Sequence, residues 1–97
     1  MQLSVSQIEE IREYFSGQPV VKAFVFGSYS RDEADADSDV DILVDLDYSH
    51  HIGLGFVQMK FDLEDKLNKK VDLVTVDGMS RHIKPFIDKD KLSIYEK

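Results

Sequence analysis

Two strand-like runs and an acidic motif meet in the stretch GSYSRDEADADSDVDILVDLD, from Gly27 to Asp47. The run just before it, VVKAFVF over residues 20–26, has the β-branched and aromatic content of a buried strand and stops at Gly27. After a spacer of ten residues beyond Ser28 the chain turns apolar again, in DVDILV over residues 39–44. The sequence therefore predicts a strand, a tight Gly-Ser turn, an acidic loop and a second strand.

The Gly-Ser turn has the residue types of a phosphate site. Glycine lets a backbone approach a ligand closely, and Ser28 offers a hydroxyl and a main-chain N–H where the next short helix should begin. We predict that short helix over residues 29–35, with a loose acidic loop behind it.

Asp39 and Asp41 are two residues apart on the second predicted strand, so both carboxylates should leave the same face. Two neighbouring carboxylates repel each other unless a cation lies between them, and Mg²⁺ prefers one or two carboxylates together with phosphate oxygens. The alternative is a solvated strand edge. The combination of strand, Gly-Ser, spacer and Asp-x-Asp favours a cation site over that alternative.

A third acid, Asp72, begins the near-continuous apolar strand VDLVTV over residues 71–76. An unpaired charge within such a strand would cost several kcal/mol, so a shared cation is one explanation of its position. The other is a strand-end aspartate that reaches solvent. Arg31 likewise has two interpretations, a phosphate ligand one helical turn beyond Gly27 or an ion pair with a surrounding acid.

These residues resemble the pattern of the minimal nucleotidyltransferases of the DNA polymerase β superfamily. That pattern consists of Gly-Ser, a spacer, Asp-x-Asp and a carboxylate on a later strand. The likeness covers nearly the whole chain, including an N-terminal helix, Arg31, the run KVDLV over residues 70–74 and the ending near residues 94–96. The family often has glycine where Asp32 stands. The matching positions are Gly27, Ser28, Asp39, Asp41 and Asp72.

The resemblance implies a small polymerase-β-like α/β fold, a three-stranded mixed sheet packed by helices, with a possible short edge strand over residues 92–95. It also implies transfer of a nucleoside monophosphate, AMP from ATP, to a hydroxyl, with two Mg²⁺ ions during turnover. In that scheme Gly27 and Ser28 hold the β- and γ-phosphates and Arg31 assists them. Asp39 and Asp41 carry metal, and Asp72 is a metal ligand or general base.

The resemblance also implies a partner. Domains of this size resemble the antitoxins of two-gene modules whose other member is a HEPN ribonuclease toxin, neutralised by adenylylation of a tyrosine. A silent domain that neutralises its partner by binding alone is the competing hypothesis. An antibiotic-modifying transferase shares the motif but normally has a further acceptor-binding domain, for which the sequence offers no room.

The chain length and the net charge further limit the classes of protein to which the sequence can belong. The 97 residues predict one domain over residues 1–97, and a net charge of −7 argues against direct nucleic-acid binding. There is no cysteine for a disulfide or thiolate site. No run reaches membrane-spanning length and the N-terminus lacks a signal-peptide pattern, so we expect a cytoplasmic protein without membrane association.

The remaining elements are ordinary. Ser4 and Gln7 form a capping-box pattern before a first helix, and Asn68 is a plausible end for a helix over residues 54–67. Ser80 could cap a short last helix. The adjacent histidines 50 and 51 predict a surface loop rather than a metal pair. The apolar stripe of the middle helix comprises Phe56, Met59, Leu63 and Leu67, widened by Val57 and Phe61.

Overall fold

The computed structural model describes residues 3–35, 37–50 and 52–97. Four strands alternate with three helices, apart from one 3₁₀ turn that directly follows the first strand. In chain order these elements are α1 (Val5–Ser16), β1 (Val20–Phe26), the 3₁₀ turn (Gly27–Tyr29), β2 (Val40–Leu46), α2 (Gly55–Leu67), β3 (Val71–Thr75), α3 (Lys84–Asp90) and β4 (Leu92–Glu96).

The sheet has four strands in the order β3-β2-β1-β4, so the predicted three-stranded sheet is one strand short. The possible C-terminal edge strand is the missing one. It pairs antiparallel with β1, with Lys22 opposite Glu96. The β1–β2 pair is antiparallel and the β2–β3 pair is parallel, which makes the sheet mixed as predicted.

One face of the sheet forms the main core. Alternation along β2 places Val40, Ile42 and Val44 on that face, where each is completely buried. The predicted stripe of α2 contributes Met59 and Leu63, and α1 contributes its two buried residues. The widening of the α2 stripe is wrong, since Val57 and Phe61 are 48% and 52% exposed. Further members of the core are Ile11, Phe15, Val20, Ala23, Val25, Leu67 and Val71.

Local signals set several element ends. The Ser4 side chain accepts a hydrogen bond from the Gln7 N–H at 3.1 Å, and the Gln7 side chain accepts one from the Ser4 N–H at 2.8 Å, which confirms the capping box. Asn68 ends α2 in the left-handed region at φ 52°. The Ser80 hydroxyl oxygen accepts from the Ile83 N–H at 3.3 Å, just before α3.

The prediction of a short helix over residues 29–35 is wrong. Helical structure after β1 is confined to the 3₁₀ turn, and turns follow it. His50 is exposed in a turn as predicted, whereas His51 lies outside the described residues. Within the described ranges, no helix has both the length and the apolar character needed to cross a bilayer.

Candidate active site

Gly27 ends β1 at the point where the backbone passes against a carboxylate of β2. Its φ is +72°, in the left-handed region, and a Cβ placed on it would overlap Oδ2 of Asp41. Both the backbone conformation and the space therefore require glycine here. The close approach follows from strand pairing, because Phe26 lies opposite Asp41 in the β1–β2 register.

The predicted acids share one face of two neighbouring strands. Asp41 lies directly opposite Asp72 in the parallel β2–β3 register, and Asp39 precedes β2 by one residue. Asp39 and Asp72 are exposed, whereas Asp41 is half-buried. The sheet therefore brings the sequence-predicted carboxylates together, on the face opposite the main core.

Asp41 titrates abnormally. Burial, followed by the negative charges of Asp72 and Asp39, raises the pKa of the Asp41 carboxyl to about 6, and Arg31 opposes that rise. At neutral pH the Asp41 carboxyl is therefore mostly ionised, but its charged form is less favourable than that of an ordinary aspartate. This is the electrostatic signature of a place where positive charge would be favourable.

The 3₁₀ turn is fixed by its own main chain. The Gly27 carbonyl accepts from the N–H groups of Ser30 at 3.1 Å and Arg31 at 3.2 Å, and from the Ser30 hydroxyl at 2.8 Å. Among the described residues the Ser28 hydroxyl has no hydrogen-bond partner, so it is available to a ligand. Asp32 adopts φ 58°, a conformation that aspartate tolerates better than most residues.

Arg31 lies in ion pairs. Its Nε is 3.0 Å from Oε2 of Glu33, and its Nη1 is 2.5 Å from Oδ2 of Asp90 at the end of α3. These hydrogen bonds raise the pKa of the Arg31 guanidinium above its ordinary value, with Glu33 the larger cause and Asp90 the next. The structure thus supports the ion-pair interpretation of Arg31, and its phosphate role stays a prediction.

A concave surface beside Asp39 was missed by the sequence analysis. Its volume is about 370 Å³. The only signal in the sequence was that Lys70 lies two residues before Asp72, where alternation places both side chains on one face. The residues that line it are Asp37, Ser38, Asp39, Asn68, Lys69 and Lys70.

The three carboxylates have suitable ligand chemistry for a divalent cation, but their side chains do not form a preassembled binding site. Their oxygens are the ligands that Mg²⁺ prefers, and the pKa of Asp41 is raised first by burial and then by the charges of Asp72 and Asp39, which a bound cation would offset. In the described part of the chain, no three acidic or imidazole side chains are already close enough to hold one ion.

Residues 6–95 match the family model of the nucleotidyltransferase domain. The chain belongs to this family. The match includes the Gly27-Ser28 turn and all three acids, so the resemblance read from the motif is confirmed at this level.

Among curated proteins, this nucleotidyltransferase domain is similar to protein adenylyltransferase MntA of Thermococcus cleftensis. The two are 47% identical over 66 residues, which cover 68% of this chain and 63% of MntA. The matched region thus spans less than two thirds of the length of that relative.

Among solved structures, the domain is similar to a chain of a toxin–antitoxin crystal structure with AMP-PNP, with a TM-score of 0.79 at 20% identity, covering 93% of this chain and 73% of that one. It is also similar to a chain of the tri-AMPylated Shewanella oneidensis HEPN toxin in complex with MNT antitoxin. That TM-score is 0.70 at 18% identity, covering 95% and 71%. At these identities the likeness concerns the fold.

Proposed function

We propose that this chain is a Mg²⁺-dependent protein adenylyltransferase that acts as an antitoxin. It transfers AMP from ATP to a tyrosine hydroxyl of a cognate HEPN toxin, as a single domain over residues 1–97. The proposed reaction consumes ATP and silences a ribonuclease, and both belong to the cytoplasm. The net charge of −7 suits a protein that acts on a partner protein rather than on RNA directly.

The observation that carries this proposal is the meeting of Gly27 with Asp41 and of Asp41 with Asp72. A glycine turn without a Cβ, set against two register-paired carboxylates, leaves backbone N–H groups and negative oxygens within one small area. The backbone N–H groups can donate hydrogen bonds to phosphate oxygens, and the carboxylate oxygens can bind the Mg²⁺ that accompanies a phosphate.

Each residue of this site has a separate role in the proposed reaction. The main-chain N–H groups of the Gly27-Ser28 turn and the Ser28 hydroxyl hold the β- and γ-phosphates, with Arg31 exchanging its acidic partners for phosphate. Asp39, Asp41 and Asp72 hold Mg²⁺, which when bound neutralises phosphate charge and lowers the pKa of the acceptor hydroxyl. In this proposal Asp72, the exposed member of the β2–β3 pair, accepts the hydroxyl proton.

The proposed transfer is a single substitution at the α-phosphorus of ATP. The acceptor oxygen forms a bond to the α-phosphorus, the bond from that phosphorus to the α,β-bridging oxygen breaks, and pyrophosphate leaves with the electron pair. The hydroxyl proton passes to Asp72 and then to solvent. The product is a tyrosine carrying AMP through a phosphodiester.

The comparisons support the acceptor class. The relative MntA is named a protein adenylyltransferase, and the Shewanella structure pairs a tri-AMPylated HEPN toxin with an MNT antitoxin. A bulky anionic nucleotide on a ribonuclease would repel RNA phosphates, so adenylylation alone can account for neutralisation.

Intact mass spectrometry of the co-incubated pair tests the proposal. With MgATP the partner should gain an AMP-sized increment, and Asp39→Asn should abolish the gain while the two proteins still associate. Peptide mapping should place the increment on a tyrosine. A complex that silences the toxin with no increment would overturn the enzymatic proposal in favour of neutralisation by binding alone.

A further inference from the structure

The residues of the candidate site follow one another across the sheet, from β1 through β2 to β3. The Gly27-Ser28 turn lies at the end of β1, Asp41 lies on β2, and Asp72 lies on β3. This inference rests on the proposed function, in which the turn holds the leaving pyrophosphate. Because attack and departure at phosphorus are in line, the acceptor hydroxyl must then arrive from the β3 side.

The concave surface beside Asp39 lies on that side. Lys70 immediately precedes β3, and its carbonyl accepts a hydrogen bond from the Val40 N–H at 2.9 Å, which fixes its backbone next to the start of β2. The Lys70 side chain is exposed, and it forms no ion pair with any described residue. Its ammonium group is therefore available to a molecule in the concave surface.

The charge of Lys70 is unusual for its surroundings. The chain has 19 acidic residues against 12 basic ones, and eight of the acids fall between residues 32 and 47. The concave surface is lined by Asp37 and Asp39 as well as by Lys70, so its positive charge depends on the cation that Asp39 and Asp41 hold in the proposed function. With that cation bound, the Lys70 ammonium group attracts and orients an anionic segment at the entrance to the reacting centre.

We propose that the concave surface lined by Asp39, Asn68 and Lys70 is the acceptor cleft. It takes a hydroxyl-bearing segment of the partner protein that carries acidic side chains, and Lys70 binds one of those carboxylates. The ATP phosphates lie on the far side of Asp41, so Lys70 contributes to acceptor affinity and not to nucleotide affinity.

Steady-state transfer to the cognate HEPN protein tests this assignment with Lys70→Gln, Lys70→Arg and the control Lys89→Gln. Lys89 is an exposed lysine of α3, so the control removes the same charge away from the cleft. We expect Lys70→Gln to raise the KM for the acceptor by about 3- to 10-fold with little change in kcat, and Lys70→Arg to restore it. Wild-type KM should rise with salt, and this dependence should weaken in Lys70→Gln.

Calorimetry with MgATP distinguishes the two sides of the site. Unchanged nucleotide affinity in Lys70→Gln together with the raised KM would support the acceptor cleft. An equal loss of ATP affinity, or a wild-type KM in Lys70→Gln, would overturn it while leaving the proposed function standing. If the wild-type protein transfers no AMP at all, the proposed function fails and the cleft assignment fails with it.

Discussion

At the scale of single residues, Gly27 and Asp41 depend on each other. The missing Cβ of Gly27 is what lets the Asp41 carboxylate lie against the turn, and that burial is the first cause of the raised pKa of Asp41. The motif could be read from the sequence because its members are close along the chain. The contact between them could not, because it depends on the register of β1 and β2.

Gly27→Ala should destabilise the fold and abolish transfer. A methyl group would overlap the Asp41 carboxylate and strain a positive φ, at a cost of about 2–4 kcal/mol in the free energy of unfolding. Gly55→Ala is the matched control, because a Cβ there has nothing within 4 Å and α2 should gain about 0.5–1 kcal/mol. Urea unfolding of the two variants measures the contrast, and equal stabilities would contradict the close packing.

Asp41→Asn should stabilise the protein in a pH-dependent way while abolishing transfer. The folded pKa of about 6 exceeds the ordinary value of 3.8, so between these pH values the folded state binds more protons than the unfolded chain. The wild-type free energy of unfolding therefore falls as pH rises through that window. In chelator the variant should match wild type near pH 4 and exceed it by about 1 kcal/mol at pH 8, a figure reduced for solvent screening.

Asp45→Asn is the control for this measurement, since Asp45 lies on the same strand and face. Denaturant unfolding at both pH values would show the gap for Asp41→Asn alone. A stability difference that does not change with pH, or one shared by both variants, would contradict the electrostatic account of the site.

At the scale of elements, the ion pair of Arg31 with Asp90 ties the turn after β1 to the end of α3 across 59 residues of sequence. The Asp90 side chain is 21% exposed and the Arg31 side chain 43% exposed, so the pair remains open to solvent on the arginine side. Local sequence could suggest only nearby acids as partners for Arg31, because the position of α3 is a tertiary property. The same limit applies to β4, whose antiparallel pairing with β1 is long-range.

Asp90→Asn should release Arg31 toward the nucleotide. Loss of the ion pair should lower the free energy of unfolding only slightly, because Arg31 is exposed, and should tighten MgATP binding by about 2- to 5-fold. Asp88→Asn is the control, because Asp88 pairs with Lys91 within the same region. Calorimetry and thermal melts of both variants decide between the two interpretations of Arg31. Lower stability with unchanged MgATP affinity would make Arg31 purely structural.

At the scale of the whole molecule, periodicity predicted which helical face is buried but not how wide the covered stripe is. Val57 and Phe61 follow the helical pattern of α2, yet both remain about half exposed. The number of strands was underestimated because the edge strand β4 buries only one of its residues, Ile94. The common face of the three acids could be predicted because alternation along two strands determines it, whereas their role in the site stays a prediction.

The central claim, nucleotidyl transfer by this carboxylate site, is tested most directly with ATP labelled at either the α- or the γ-phosphorus. In the presence of Mg²⁺ and the cognate partner, the α-label should appear on the partner and the γ-label in free pyrophosphate. Chelator or Asp39→Asn should abolish both. Appearance of the γ-label on the partner, or α-label transfer that persists in Asp39→Asn, would contradict the account.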